Sequence, residues 1–125
     1  MKKSVIGKIR DLPLYLKNGI KLVKFYGTVK EIRDIEEDRL TIIIIEDDTG
    51  VIEARIFGSK YDREYLLNGI EIGSKVLVIG ELRAWEGEVY ILLRGIRKIN
   101  EDEALYYELR YKRFKKWVLN QEDSS

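Results

Sequence analysis

The chain has 125 residues, 45% apolar and 36% charged, with a formal net charge of +1, which fits one domain with a modest extension and leaves any nucleic-acid binding to a local patch rather than a uniform positive field. Cys and His are both absent, which removes zinc fingers, thiol chemistry, imidazole mechanisms and a disulfide scaffold. No apolar run is long enough to span a bilayer, and Met1-Lys2-Lys3 leads into no signal-peptide core, so the expected setting is a reducing interior (cytoplasmic, at the nucleoid) with no membrane partner.

Residues 1–18 read as an arm. Val5, Ile6 and Ile9 are spaced like an anchoring half-turn, and Leu12, Leu14 and Leu16 flank Pro13 and Tyr15. Pro13 either opens a short helix or breaks the arm, and the arm is expected to pack over an open end of the core. Ile20 to Ile35 is long for one strand. Val23, Phe25, Gly27 and Val29 share a face, and the order blurs at Gly27, where a strand glycine marks a bulge or tight bend. One curved strand serving two sheets accounts for this. A charged turn follows at Asp34 to Arg39.

Leu40 to Gly58 reads as a hairpin. Leu40 to Ile45 is almost unbroken apolar and rich in Ile, and Glu46-Asp47-Asp48-Thr49-Gly50 is a turn. After it Ile52, Ala54 and Ile56 face one way, with Glu53, Arg55 and Phe57 opposite. Tyr61, Tyr65 and Leu66 predict one face of a short helix over Tyr61 to Asn68, and Glu71 to Ser74 predicts a second turn. Lys75 to Trp85 alternates Val76, Val78, Gly80, Leu82 and Ala84 against Leu77, Ile79, Glu81, Arg83 and Trp85. Glu86-Gly87-Glu88 is a tight loop. Val89 to Ile99 sets Val89, Ile91 and Leu93 against Tyr90, Leu92 and Arg94, and Gly95 relieves curvature.

The period changes from 2 to 3.6 at Asn100, which with Glu103 predicts a capping box. Ala104, Tyr107, Tyr111, Phe114 and Val118 fall on one stripe of a helix over Glu101 to Leu119, with Leu105, Leu109 and Lys112 beside it and Tyr106, Arg110, Arg113 and Trp117 on another flank. Acids sit early and bases late, matching the helix dipole. Gln121 to Ser125 is a polar tail expected to fray. Residues 19–99 thus describe an all-β domain, a five-stranded OB-fold barrel with a short helix between its third and fourth strands, followed by a long C-terminal helix over 100–120. Sm-like and SH3-like barrels are the runners-up, and the helix position argues against both.

The segments IIIEDDTGVIEARIFG and VLVIGELRAW, within Ile42 to Phe57 and Val76 to Trp85, resemble the OB domain of the replication protein A middle subunit, and the likeness extends over Ile20 to Leu119. It implies that Phe57 holds the place of a base-stacking Trp. It implies too that Gly80, Leu82, Arg83 and Trp85 form the family's Gly-x-Leu-Arg-x-aromatic pattern, whose aromatic also stacks. The family joins three OB subunits through a helix after the barrel. Its middle subunit also carries a phosphorylated N-terminal tail and a C-terminal winged helix that find no counterpart here. The chain therefore looks like the small, or a minimal middle, subunit of an archaeal complex, and is also similar to small OB subunits of telomere-capping complexes.

Single-stranded nucleic acid needs flat rings for bases and cations for phosphates. Phe57 and Trp85 are the leading rings, with Tyr26 and Tyr90 behind them. Arg55, Arg83 and Arg94 supply charge, and Lys24, Lys30 and Arg33 extend the track. Glu53 and Glu81 share the arginines' parity and weaken the patch. The alternative is that the rings cap the core and the arginines are a solvated surface. Glu36-Glu37-Asp38 and Glu46-Asp47-Asp48 lack EF-hand spacing, and adjacent acids rarely converge on one ion. No enzyme activity, metal or cofactor is expected. The leading function is a subunit that binds single-stranded DNA. Its partners are other OB subunits of a heterotrimer, or a second copy in a homodimer, held through Ala104, Tyr107, Tyr111, Phe114, Trp117 and Val118. The alternatives are an architectural OB subunit and an RNA- or tRNA-binding module.

Overall fold

The computed structural model describes residues 3–35 and 39–123, without the side chains of Lys60 and of residues 119–123. The acidic run Glu36-Glu37-Asp38 and the end of the tail therefore lie outside the described residues. The arm contributes a two-residue strand, β1 (Val5–Ile6), a 3-10 turn at Ile9–Asp11 and a short helix, α1 (Leu12–Lys17). Pro13 sits in the first turn of α1, where a missing N–H leaves no bond unmade, so it opens a helix rather than breaking the arm. Leu12 is fully buried, and Ile9 and Tyr15 join it in the main core. The Tyr15 hydroxyl donates to the Ile6 carbonyl at 3.0 Å. The arm thus packs into the core, and β1 also extends the sheet by pairing in parallel with β2 (Leu22–Ile35).

The remaining elements are β3 (Leu40–Asp47), β4 (Gly50–Phe57), α2 (Lys60–Leu66), β5 (Lys75–Trp85), β6 (Glu88–Lys98) and α3 (Glu101–Asp123). β2, β3 and β4 form an antiparallel meander and β5–β6 an antiparallel hairpin. Antiparallel β2–β5 and parallel β4–β6 pairings close the barrel. This is a five-stranded OB-fold with a short helix between its third and fourth barrel strands and a long C-terminal helix.

One strand does serve two partners: β2 pairs with β5 over Leu22 to Thr28 and with β3 over Thr28 to Ile35. The change of partner falls at Gly27, where an added Cβ would lie 2.7 Å from the Glu46 carbonyl oxygen and 2.8 Å from Ile45 Cγ2. A register shift between Val29 and Glu31 leaves Lys30 as the bulge residue. Gly27→Ala forces that backbone apart, and the expected cost is about 1–3 kcal/mol, the usual range for overpacking. Urea unfolding followed by tryptophan fluorescence measures it, and an unchanged midpoint would remove the close approach from the argument.

Inward residues follow the sequence parity on β2, β4, β5 and β6: Val23, Phe25 and Val29, then Ile52, Ala54 and Ile56, Val76, Val78 and Leu82, and Ile91 and Leu93, while the apolar run of β3 turns Ile43 and Ile45 inward. Three departures have physical reasons. Ala84 is exposed because β5 projects past the core at that end. Leu77, on the outer face, is buried because it packs with Ile99 and Ala104 in a second cluster beneath α3. Tyr61 and Tyr65 stand in solvent, apart from the inward Leu66. Ser59 and Asp62 cap α2 reciprocally, and the phase they set turns Leu66 and Leu67 to the core and both tyrosines outward.

Asn100 Oδ1 accepts from the Glu103 N–H at 2.8 Å, so the N-cap forms. The Glu103 carboxylate turns to Arg97 instead of completing the box. α3 runs past Leu119 to Asp123, which leaves its bases in mid-helix rather than in the last turn. The stripe read as a partner surface packs largely on the chain's own barrel and arm. Ala104 and Tyr111 are buried, and Tyr107, Phe114 and Val118 are half-buried. Leu77 and Ile99 of the barrel cover Ala104 and Tyr107, and the arm takes the next turn: the Tyr111 hydroxyl donates to Asp11 at 2.7 Å, and Lys115 reaches the same carboxylate at 3.1 Å. Trp117 remains exposed with Leu105, Tyr106 and Leu109.

Candidate nucleic-acid interface

The outer faces of β4, β6 and β5 form one surface, and strand register fixes its order. Arg55 stands beside Leu92, which stands opposite Glu81; Tyr90 stands opposite Arg83 and Trp85 opposite Glu88. Phe57 lies two residues beyond Arg55, at the end of β4. The two leading rings thus mark opposite ends of the face, with Tyr90 and the arginines between them. Phe57 is 55% exposed and Trp85 66%, so neither caps the core. Glu86 and Gly87 both take positive φ, 50° and 82°. That two-residue turn matches the twist of paired strands and holds Trp85 at the rim.

The charges on this face are ordered by contacts. The Arg55 guanidinium lies 4.1 Å from the Tyr90 ring centroid and 3.1 Å from the Glu53 carboxylate. Glu81 accepts from Arg83 at 2.7 Å and from Arg94 at 2.5 Å. Those two hydrogen bonds hold the Glu81 carboxyl below its ordinary range. Glu81 therefore restrains two half-exposed guanidiniums, and with Glu88 opposite Trp85 the three arginines of the face are matched by three glutamates. A phosphate meets pre-positioned cations here but little excess charge.

β4 and β6 pair only at Ala54–Ile91 and Arg55–Leu92, so their preceding halves diverge. The resulting groove, about 460 Å³, lies between the arm at Ile9 and Pro13, β4 at Val51 and Glu53, and the β5–β6 turn. The arm's part in it is absent from the sequence reading. Asp47 accepts from the Ile9 N–H at 2.8 Å while also capping its own turn through the Thr49 and Gly50 N–H groups. Arg10 N–H donates to Thr49 Oγ1 at 3.0 Å.

Phe57, Arg55, Tyr90, Arg83, Arg94 and Trp85 therefore share one surface. Four other candidates lie elsewhere. Tyr26 is committed to the second cluster and donates its hydroxyl to Glu108 at 2.5 Å. Burial and that carboxylate push its pKa up, and its ring is not available as a stacking platform. Lys24 lines a different groove, against α3. Lys30, on the bulge, is 3.9 Å from Glu46, and Arg33 is 3.2 Å from Glu31. Glu46, Asp47 and Asp48 are each engaged with Lys30, the turn or Lys8. Among the described residues no group of three or more Asp or Glu side chains is placed to hold a metal ion.

Residues 23–99 match the family model described as an OB-fold nucleic acid binding domain. No curated protein matches the chain. A chain of the S. pombe Stn1-ten1 complex superposes with a TM-score of 0.72 at 15% identity, over 84% of this chain and 78% of that one. A chain from a replication protein A heterotrimer bound to ssDNA gives 0.65 at 21% identity, over 78% and 74%. Asparaginyl-tRNA synthetase of Entamoeba histolytica gives 0.50 at 21% identity, over 65% of this chain but only 21% of that one. At these identities the structures share the fold, and the match across residues 23–99 assigns the chain to the OB-fold nucleic acid binding domain family.

Proposed function

We propose that this protein binds single-stranded nucleic acid across the β4–β6–β5 face and works as one subunit of a multi-OB assembly of the replication protein A kind. The observation that carries the reading is the alternation of exposed rings and held guanidiniums from Phe57 through Arg55, Tyr90 and Arg83 to Trp85. Rings accept any base, and guanidiniums accept any phosphate. Nothing in this set singles out a 2′-hydroxyl, so the face takes DNA and RNA strands alike. The assembly role draws support from the structural likenesses that cover 84% and 78% of this chain, against 65% for the synthetase. Leu105 and Leu109, 58% and 55% exposed on α3, form its protein contact.

The test is fluorescence anisotropy with oligo-dT, oligo-rU and a duplex at two salt concentrations. Both single strands are expected to bind within about tenfold of each other, with the duplex weaker. The salt dependence is expected to be shallow, because few phosphates are neutralised. Equal or tighter duplex binding overturns the reading. A preference for rU well beyond tenfold would favour the RNA-binding alternative.

A further inference from the structure

A second groove, about 640 Å³, runs between β1, β2 and α3. Its α3 wall is a single stripe in which aromatic, cation, cation and aromatic follow at helical spacing: Tyr106, Arg110, Arg113 and Trp117. Lys24 of β2 forms the opposite wall. The stripe is about 16 Å long at 1.5 Å per residue. Tyr106 is 53% exposed and Trp117 58%. The Arg110 guanidinium lies over the Tyr106 ring at 5.8 Å, and Trp117 stacks on Phe114 at 6.4 Å.

Charge sets this groove apart. Six other arginines are tied to acids: Arg33 to Glu31, Arg55 to Glu53, Arg63 to Asp34, Arg83 and Arg94 to Glu81, and Arg97 to Glu103. Among the described residues no carboxylate forms an ion pair with Lys24, Arg110 or Arg113. Burial, and after it the Arg110 charge, depress the Lys24 pKa, so the two cations repel each other across the groove. An anion in the groove would relieve that repulsion. The groove also continues the barrel face. Arg55, Leu92, Glu81 and Leu22 are register neighbours across four strands, and Lys24 is the next outward residue of β2. Three strand spacings of about 4.8 Å separate Arg55 from Leu22.

We propose that this groove is a second site for single-stranded nucleic acid, with phosphates on Lys24, Arg110 and Arg113 and bases against Trp117 and Tyr106. A strand longer than the barrel face passes over Leu22 and continues along α3. An acidic peptide would satisfy the charges. The flat exposed rings bracketing the cations and the unbroken path from the barrel face favour a polynucleotide, while Leu105 and Leu109 lie on a different flank of the helix. The inference rests on the barrel-face reading for the strand's first contacts.

The test compares wild-type protein, Arg110→Ala/Arg113→Ala and the equal-charge control Lys112→Ala/Lys116→Ala with oligo-dT of graded length. Oligomers of about five nucleotides are expected to bind wild type and the Arg110/Arg113 variant equally. On a 20-mer that variant is expected to lose about 5- to 20-fold and about two units of salt slope, one for each phosphate contact removed. The control is expected to lose less than about threefold. Equal losses in both variants would reduce the effect to net charge and overturn the proposal. So would 20-mer affinity unchanged by Arg110→Ala/Arg113→Ala, and loss of a co-purified protein partner at unchanged 20-mer affinity would assign the groove to that partner. If 5-mers fail to bind wild type while the 20-mer binds and the Arg110/Arg113 variant abolishes it, the barrel-face reading falls and the groove stands. Binding at no length overturns both. All four substituted positions are exposed or at the surface of α3, and a thermal melt beside each titration verifies the fold.

Discussion

Lys8→Met is expected to destabilise the protein by about 2–4 kcal/mol and to loosen α3 from the barrel. Lys8 is 6% exposed, and its ammonium lies 2.9 Å from Asp48 and 3.0 Å from Glu108. Glu108 also accepts from Tyr26, and the Lys8 backbone N–H donates to Asp11 at 3.1 Å. Asp11 in turn receives Tyr111 and Lys115. One cluster therefore joins the arm, the β3–β4 turn, β2 and α3. Removing one partner of a buried pair typically costs about 3–5 kcal/mol, because the other is left uncompensated. Asp48 is largely in water and recovers hydration, which sets the lower bound here. Glu108, 20% exposed, does not. Urea unfolding gives the magnitude, and amide exchange along α3 locates it. Adding Glu108→Gln to Lys8→Met should recover part of the loss, since it removes the stranded charge. A change below about 0.5 kcal/mol, within the usual spread for surface substitutions, would make the cluster decorative.

The same cluster sets the pH dependence. Burial works against the carboxylates of Asp11 and Glu108. Hydrogen bonds from Tyr111 and the Lys8 backbone to Asp11, and from Tyr26 and Lys8 to Glu108, nonetheless hold both below their ordinary values, and Lys8 does the same for Asp48. Groups depressed in the fold contribute stability above their unfolded values, near about 4, and lose it as pH falls through the folded ones. Burial alone would lower the Lys8 pKa, but Asp48 and Glu108 raise it above 10.5. Its contribution is complete below that value and is lost as pH rises past it. With no His or Cys in the chain, melting temperature is expected to stay flat between about pH 5.5 and 9 and to fall on either side.

The barrel was legible because its signals are local. Alternation named the inward residues of β2, β4, β5 and β6, β3 showed only as an apolar run, and Gly27 marked the bend at which β2 changes partner. The Lys8 cluster was not legible, since its partners lie 40 and 100 residues away, and a lone lysine in an arm reads as solvated surface. The same distance explains α3. Periodicity found the stripe through Ala104, Tyr107 and Tyr111, and it could not say whether a partner or the chain's own arm would cover it. Leu77 and Ile99 of the barrel cover Ala104 and Tyr107 and Asp11 takes Tyr111, and nothing near Asp11 in sequence marks it as that acceptor. Tyr26 went astray for a related reason, because parity gives a side chain's face and not the helix that later covers it. For Phe57 and Trp85 the sequence marks the strand end and leaves exposure open against capping of the core; both stand more than half exposed, since a strand end beside a turn offers little with which to bury a large ring.

Phe57→Ala/Trp85→Ala is expected to weaken binding of a short oligo-dT by about 2–6 kcal/mol, at least about thirtyfold, while melting stays close to wild type. Each lost base stack is worth about 1–3 kcal/mol. The rings stand at opposite ends of the face, so they contact different bases and their losses should add. Little folding energy is at stake, because both are more than half exposed. The turn after Trp85 is set by the positive φ of Glu86 and Gly87 and not by the indole. Trp85→Phe keeps a flat face and is expected to retain most of the affinity. Tyr90→Ala should behave differently. It removes the ring that holds the Arg55 guanidinium at 4.1 Å, so it is expected to lower affinity and flatten the salt dependence together. Titrations of the three variants against the same oligomer, each with a melt alongside, separate these outcomes. A large fall in melting temperature with affinity unchanged would make Phe57 and Trp85 packing residues and move the strand off the β4–β6–β5 face.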